Sequence, residues 1–231
     1  MAAAWVNAFS TAGYALWPEL MTALQCDELA ESVASAASGA DGRAGLRNLL
    51  QTCPAVRDLA QSPTVRDIIS AALGGSARCV KALWFDKTPG ANWSVSWHQD
   101  LMIAVQQRHD APGYTAWSLK QGVPHVKPPV AVLARMAALR IHLDDCGPQN
   151  GPLRVLPGSH GRGEFDDADT AALAARVAPV ECELPRGGAL LMRPLLVHSS
   201  ARAALPQRRR VLHLEFSAET LPAPLVWYDF V

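Results

Sequence analysis

No stretch of this chain approaches the roughly 18–20 uninterrupted apolar residues that a membrane-spanning helix requires, so the expectation is a protein with no membrane partner. Neither sign of charge is in excess. Lys plus Arg number 21 and Asp plus Glu number 21, which removes any net attraction to nucleic acid or an anionic lipid surface and points to a small-molecule partner. Paired cysteines are missing too. Cys26, Cys53, Cys79, Cys146 and Cys182 stand singly with no C-x-x-C, and an odd, dispersed set suits neither a disulfide framework nor a structural zinc site. A reducing cytoplasm is the expected setting. The first twenty residues lack the basic stretch followed by a continuous apolar run that marks a secretory signal. There is no internal repeat and no low-complexity linker.

Apolar residues make up 49% of the 231 positions and charged residues 18%, enough for one well-filled core. One domain over residues 1–231 is expected, as a monomer or small homo-oligomer. Residues 1–76 read as mostly helical. Over 26–38, Leu29, Val33 and Ala36 recur at helical spacing with Asp27 and Glu28 in the first turn, and Gly39 ends the run. Over 54–73, Val56, Leu59, Val65, Ile68, Ile69 and Leu73 mark a second helical region divided near Pro63 and closed by Gly74-Gly75. From residue 77 onward the texture changes to short apolar runs separated by Pro, Gly, Asn or Asp, as in RCVKALWFDK, RMAALRIHLDD, GALLMRP and RRVLHLEFS. That pattern predicts a mainly β protein with flanking helices, built on a jelly-roll core at 77–231. Residues 101–130, with Pro112-Gly113 and Trp117, read as a long irregular insertion, a lid over a site. A short surface helix is expected near Ala171.

Within SVSWHQDL, His98 and Asp100 are two apart, so on an extended strand both would point to one face. A surface strand carrying two polar residues gives the same pair. Far downstream, His198 follows the apolar run GGALLMRPLLV, and a second histidine from a distant strand would complete a 2-His-1-carboxylate set with open positions opposite, the arrangement of non-haem Fe(II) oxygenases. Eleven residues beyond His198 stands Arg209, whose planar fork of donors can bind a carboxylate in two-point fashion. Its neighbours Arg208 and Arg210 allow the plainer reading of a solvated basic turn. Alternation puts Arg209, Val211 and His213 on one face of the strand and Leu212, Leu214 and Phe216 on the other, without saying which face looks inward.

Together these residues resemble the phytanoyl-CoA dioxygenase family, in its ectoine-hydroxylase-like branch. The resemblance rests on Trp97-His98-Gln99-Asp100, Leu143-Asp144-Asp145, the run NGPLRVLPGSH that starts at Asn150 and ends at His160, the glycine-rich GGALLMRP from Gly187 with His198, and Arg209. It covers residues 81–217. It implies a double-stranded β-helix (jelly roll, cupin-like) and a 2-oxoglutarate-dependent dioxygenase that consumes O2, hydroxylates an unactivated carbon of a small-molecule substrate and releases succinate and CO2. By the same resemblance, His98, Asp100 and His198 would bind Fe(II), Arg209 and Ser200 the distal carboxylate of 2-oxoglutarate, and Gln99 the co-substrate. Arg140 falls ten positions before Asn150, where better-known members carry an aromatic residue; it would grip the metal-proximal carboxylate or an acidic substrate. Halogenating relatives replace the carboxylate ligand with a small residue, so Asp100 favours hydroxylation.

Asn48, after Arg47, would lie on a loop facing the site and Trp117 at its mouth, both as substrate contacts. Trp84, Trp93 and Trp97 lie around the same mouth in sequence, although aromatic residues more often fill core. His160, His109, His125, His142 and His213 are expected as structural histidines, and Asp144-Asp145 as turn chemistry. Two other readings remain open at this point: a cupin-like protein that binds metal or a small ligand without oxygen chemistry, and a zinc hydrolase. For the second, no H-E-x-x-H spacing supplies a base.

Overall fold

Every residue from Arg209 to Ser217 is buried except half-buried Arg210, so this strand has protein on both faces. The computed structural model describes residues 4–37, 45–205 and 207–231. The helical N-terminal section comprises α1 (Ala4–Ala12), β1 (Tyr14–Trp17), α2 (Ala23–Ala36), β2 (Gly45–Leu46), α3 (Leu49–Thr52), α4 (Pro54–Ala60) and α5 (Pro63–Leu73). After it come β3 (Arg78–Lys87), β4 (Val95–His98), β5 (Ile103–Ala104), β6 (Thr115–Lys120), β7 (Val123–Lys127), α6 (Val130–Ala134), β8 (Met136–His142) and β9 (Leu153–Val155). Last are α7 (Asp167–Ala174), β10 (Val180–Cys182), β11 (Ala189–Met192), β12 (His198–Ser200) and β13 (Arg209–Ser217).

Among the described residues the strands form a six-stranded sheet, β1-β11-β8-β13-β3-β2, a four-stranded sheet, β10-β9-β12-β4, and a three-stranded sheet, β5-β7-β6. All pairings are antiparallel. Period-two alternation divides the large sheet cleanly. Trp84, Leu139, Ile141, Leu212, Leu214 and Phe216 pack outward against Leu29, Val33, Val56 and Ile69 of the helices. Ala138, Leu190 and Met192 face the other way and meet Leu153, Val155 and Cys182 of the four-stranded sheet. Two sheets face to face with helices behind one of them make the jelly roll that the sequence implied.

The N-terminal section is less uniformly helical than its sequence suggests. Tyr14–Trp17 forms an edge strand paired to β11, because its carbonyls and amides meet an otherwise open sheet edge. α2 starts at Ala23, three residues earlier than the apolar spacing indicates. Thr22 caps it, accepting from Gln25 N while the Gln25 side chain accepts from Thr22 N at 2.8 Å, which leaves Asp27 and Glu28 beyond the first turn. Gly39, expected to end that helix, lies outside the described residues. The break at Pro63 is present: Ser62 caps α5, which stops at Gly74 with φ 73°. α7 begins at Asp167 because Asp166 caps it, at 2.7 Å to Asp169 N.

Residues 101–130 carry the three-stranded sheet and are more regular than the sequence suggests. β6 and β7 make a two-residue hairpin in which Gln121 (φ 50°) and Gly122 (φ 79°) both take left-handed backbone, the geometry that matches strand twist. No helix of the described residues is long and apolar enough to cross a membrane.

Candidate metal centre

The inward face of the large sheet is polar where the outward face is apolar. Lys81, Leu83, Phe85 and Lys87 of β3, Arg140 of β8, and Arg209, Val211, His213 and Glu215 of β13 line a cavity of about 330 Å³, closed on its other side by His98, Asp100 and His198. β4 and β12 bring the two histidines together as a cross-strand pair, His198 opposite His98, with ring centroids 4.1 Å apart. A register shift between His198 and Ser200 gives β4 an extra residue there, the kind of bulge that re-aims side chains beside a site. β4 ends at His98, so Asp100 does not share a strand face with it as the alternation argument required. Instead Asp100 lies just past the strand, held by its own N–H donating to Pro194 O at 2.9 Å. The ligand atoms converge all the same: those of His98, Asp100 and His198 lie within 4.8 Å of one another.

Both imidazoles are set for coordination. Nδ1–H of His98 donates to Ser96 O and Nδ1–H of His198 to Leu196 O, each at 2.8 Å, so each Nε2 turns its lone pair toward Asp100, at 3.8 Å and 3.6 Å. Burial pushes the His198 imidazole down to about 4, against the pull of Asp100. Burial would raise the Asp100 carboxyl, but His198, His213 and His98 together outweigh it and hold the group well below the usual carboxylate range. Two neutral nitrogens and one carboxylate, clustered on one wall and open to the cavity, are the donor set of a divalent non-haem iron site.

At the inner end stands Arg209, buried, with Nη1 donating to the backbone carbonyls of Asn150 (3.1 Å) and Gly151. The Asn150-Gly151 turn therefore aims the guanidinium. Gly151 has φ 61° and a Cβ there would lie 2.7 Å from Ala201 O, so the turn requires glycine. Arg208 and Arg210 point away from the cavity, paired with Asp86 (2.8 Å) and Asp144 (2.6 Å). Opposite Arg209 in the register is Lys87, a buried lysine whose Nζ donates to Trp93 O at 2.7 Å and to Ser200 Oγ at 3.4 Å. Burial first, then Arg209 and Arg140, push its ammonium down to about 8. Sequence reasoning missed Lys87, although its period-two spacing from Lys81 in an apolar strand was a readable signal.

Arg140 is aimed into the same cavity. Its Nη1 donates to His213 Nδ1 at 2.9 Å, leaving His213 Nε2–H to donate to Glu215 at 3.3 Å, and Glu215 also accepts from Lys81 at 2.6 Å. Arg140 Nε is buried with no hydrogen-bond partner among the described residues. Gln99 lines the cavity, but both its N–H donors go to backbone, to Gly163 O (2.8 Å) and Leu195 O (2.6 Å), while Oε1 accepts from Phe165 N. Its amide thus ties two loops together behind the ligands.

The outer candidates divide. Arg47 and Trp93 line the cavity. Asn48 does not line the cavity; it falls in a small adjoining recess that Arg47 also lines, with φ 61° as α3 begins. Trp117 does not line the cavity; it packs beside the Val105 and Val126 cluster with Arg108 over its ring at 5.5 Å. Trp84 is core and Trp97 stacks under Arg154, because alternation turns both from the interior wall. His160 bonds Ser10 O outside the site.

A jelly roll with two histidines and a carboxylate open to a cation-ended cavity defines the class of non-haem iron oxygenases. The phytanoyl-CoA dioxygenase family model matches residues 1–211, and the chain belongs to that family, whose type is iron- and 2-oxoglutarate-dependent. The fold is similar to that of AviO1 from Streptomyces viridochromogenes Tue57, at 23% identity over 97% of this chain and 98% of that one, with a TM-score of 0.68. It is also similar to EctD from S. alaskensis, crystallised with 2-oxoglutarate and 5-hydroxyectoine: 21% identity, 94% and 76% coverage, TM-score 0.73. A third likeness is to the alpha ketoglutarate-dependent epimerase SnoN from nogalamycin biosynthesis, at 14% identity, 97% and 84% coverage and a TM-score of 0.69. No curated protein matches the chain in sequence.

Proposed function

We propose that the chain is a single-domain Fe(II)- and 2-oxoglutarate-dependent dioxygenase that hydroxylates an unactivated carbon of a small cytoplasmic metabolite, with release of succinate and CO2. The observation that carries this reading is one cavity with a 2-His-1-carboxylate set on one wall and a buried arginine–lysine pair at its inner end. His98, Asp100 and His198 would hold the iron, which when bound supplies O2 activation coupled to decarboxylation of the co-substrate. Arg209, Lys87 and Ser200 bind the distal carboxylate, two cations and a hydroxyl converging where a dicarboxylate chelating the metal would place its far end. Arg140 presents its guanidinium to the cavity wall, and Gln99 fixes the loop that presents Asp100. Asp100 fills the position that a halogenating site would leave to halide, which favours hydroxylation.

A cupin-like metal or small-ligand binder has no need of the cation pair opposite the triad. Anaerobic addition of Fe(II) and 2-oxoglutarate to the purified protein is expected to give a weak visible charge-transfer band, and admission of O2 to give succinate. Absence of both would remove the oxygenase reading and favour the binding one.

A further inference from the structure

The cavity holds more positive charge than the iron chemistry uses. Arg47, Lys81, Lys87, Lys120, Arg140 and Arg209 line it, against Asp100 and Glu215 as its acids. Lys81 is neutralised by Glu215 at 2.6 Å. Asp100 offsets half of a divalent metal, and a bound 2-oxoglutarate offsets the other half and one of the Arg209–Lys87 pair. Arg140, though bonded to His213, makes no salt bridge to an acid among the described residues, and the charge it feels most is that of Asp100. Arg47 and Lys120 have no hydrogen bond or ion pair among the described residues. They come from separate elements, Arg47 from the turn before α3 and Lys120 from the β6–β7 hairpin, both line the cavity and both are half-buried. Burial, and then Lys81 and Arg47, push the Lys120 ammonium down, with Asp100 and Glu215 pulling weakly the other way. Like charges left unpaired at the rim of a low-dielectric cavity repel, and an anionic ligand relieves that repulsion.

We infer that the primary substrate is a small organic anion, a carboxylate or a phosphate ester, whose charged group is bound by Arg47 and Lys120 at the mouth of the cavity while its carbon skeleton extends toward His98 and Asp100. This deepens the oxygenase reading and rests on it. A neutral substrate leaves the rim charges unmet, and a cationic one is repelled by them. The cavity volume of about 330 Å³, shared with the co-substrate, sets the substrate to a metabolite of modest size.

The test uses the full chain loaded anaerobically with Fe(II) and saturating 2-oxoglutarate, so that the Arg209 end is already filled. Inorganic phosphate, glycerate and the neutral glyceramide are titrated in turn by calorimetry, with the visible band recorded in parallel. Phosphate or glycerate is expected to bind at least about tenfold more tightly than glyceramide, and in R47Q/K120Q that anion affinity is expected to fall roughly tenfold or more with the band retained. Preference for phosphate or for glycerate identifies the group. Single variants R47Q and K120Q, each expected to lose part of the affinity, serve if the double variant unfolds. Glyceramide binding as well as the anions, no heat with either anion, or anion affinity that persists in R47Q/K120Q because it resides at the metal, would each overturn the inference. Anion binding at the rim without any visible band would instead remove the oxygenase reading and leave an anion site.

Discussion

Replacing Arg209 by alanine isolates the inner end of the cavity. The guanidinium is buried and anchored through one nitrogen to the carbonyls of Asn150 and Gly151, so its remaining donors face the cavity in a fixed orientation. A charge-assisted hydrogen bond contributes about 1.5–3 kcal/mol. Losing a two-point contact to a carboxylate therefore predicts a loss of roughly 3 kcal/mol, about 150-fold in Kd, if nothing compensates. Lys87 stands directly opposite in the strand register and keeps one cation in place, which brings the expected loss to about 10- to 100-fold. Arg209→Lys should fall between, since a lysine keeps the charge and loses the fork. The assay is an anaerobic titration of 2-oxoglutarate into Fe(II)-loaded protein, read by the visible band. Because two buried carbonyls also lose their partner, the alanine variant should unfold about 1–2 kcal/mol more easily in denaturant. A Kd within twofold of the parent in Arg209→Ala would refute the reasoning, and a collapse in Lys87→Gln at the same time would move the anchor to Lys87.

Asp100→Ala should abolish succinate formation and iron retention while circular dichroism and the unfolding midpoint stay close to the parent, because Asp100 lies past the end of β4 and outside the core; retained iron would take it out of the ligand set. For Lys87, whose ammonium is pushed down to about 8, the charged form binds the co-substrate, so 2-oxoglutarate affinity should be flat below pH 8 and weaken above it. That weakening should vanish in Lys87→Gln, and an unchanged pH profile in the variant would clear Lys87 of the role. Glu215→Ala removes a buried carboxylate from its half-buried Lys81 partner and from His213, for an expected loss of about 1–3 kcal/mol in urea unfolding; a loss under about 0.5 kcal/mol would mean that water replaces the carboxylate.

The triad was legible in the sequence through side-chain chemistry more than through secondary structure. His98 and Asp100 are spaced as a strand pair, yet the strand stops at His98 and the convergence comes from a bulge and a backbone bond to Pro194. On β13 alternation separated Arg209 and His213 from Leu212 and Leu214, and the helices packed on the apolar side settle which face is inward. Lys87 escaped notice because a buried lysine looks like a surface residue until its strand is seen to be covered on both sides. Trp117 was placed near the mouth by closeness in sequence to His98, but the hairpin twist carries its ring to the cluster behind β7. Gln99 sits beside the ligands as its position implies, with its amide committed to backbone partners that no local pattern reveals.

The turn that grips Arg209 does so with main-chain oxygens, while the mouth is made of two side chains from separate elements. Apart from Gly151, which must stay glycine, substitution in that turn cannot delete a carbonyl, so the grip on Arg209 survives most side-chain changes there. The rim has no such insurance: one codon change at position 47 or 120 alters its charge without disturbing any strand. A redesign aimed at new substrates should begin at those two positions, since there selectivity can drift while the iron wall and the dicarboxylate clamp stay as they are.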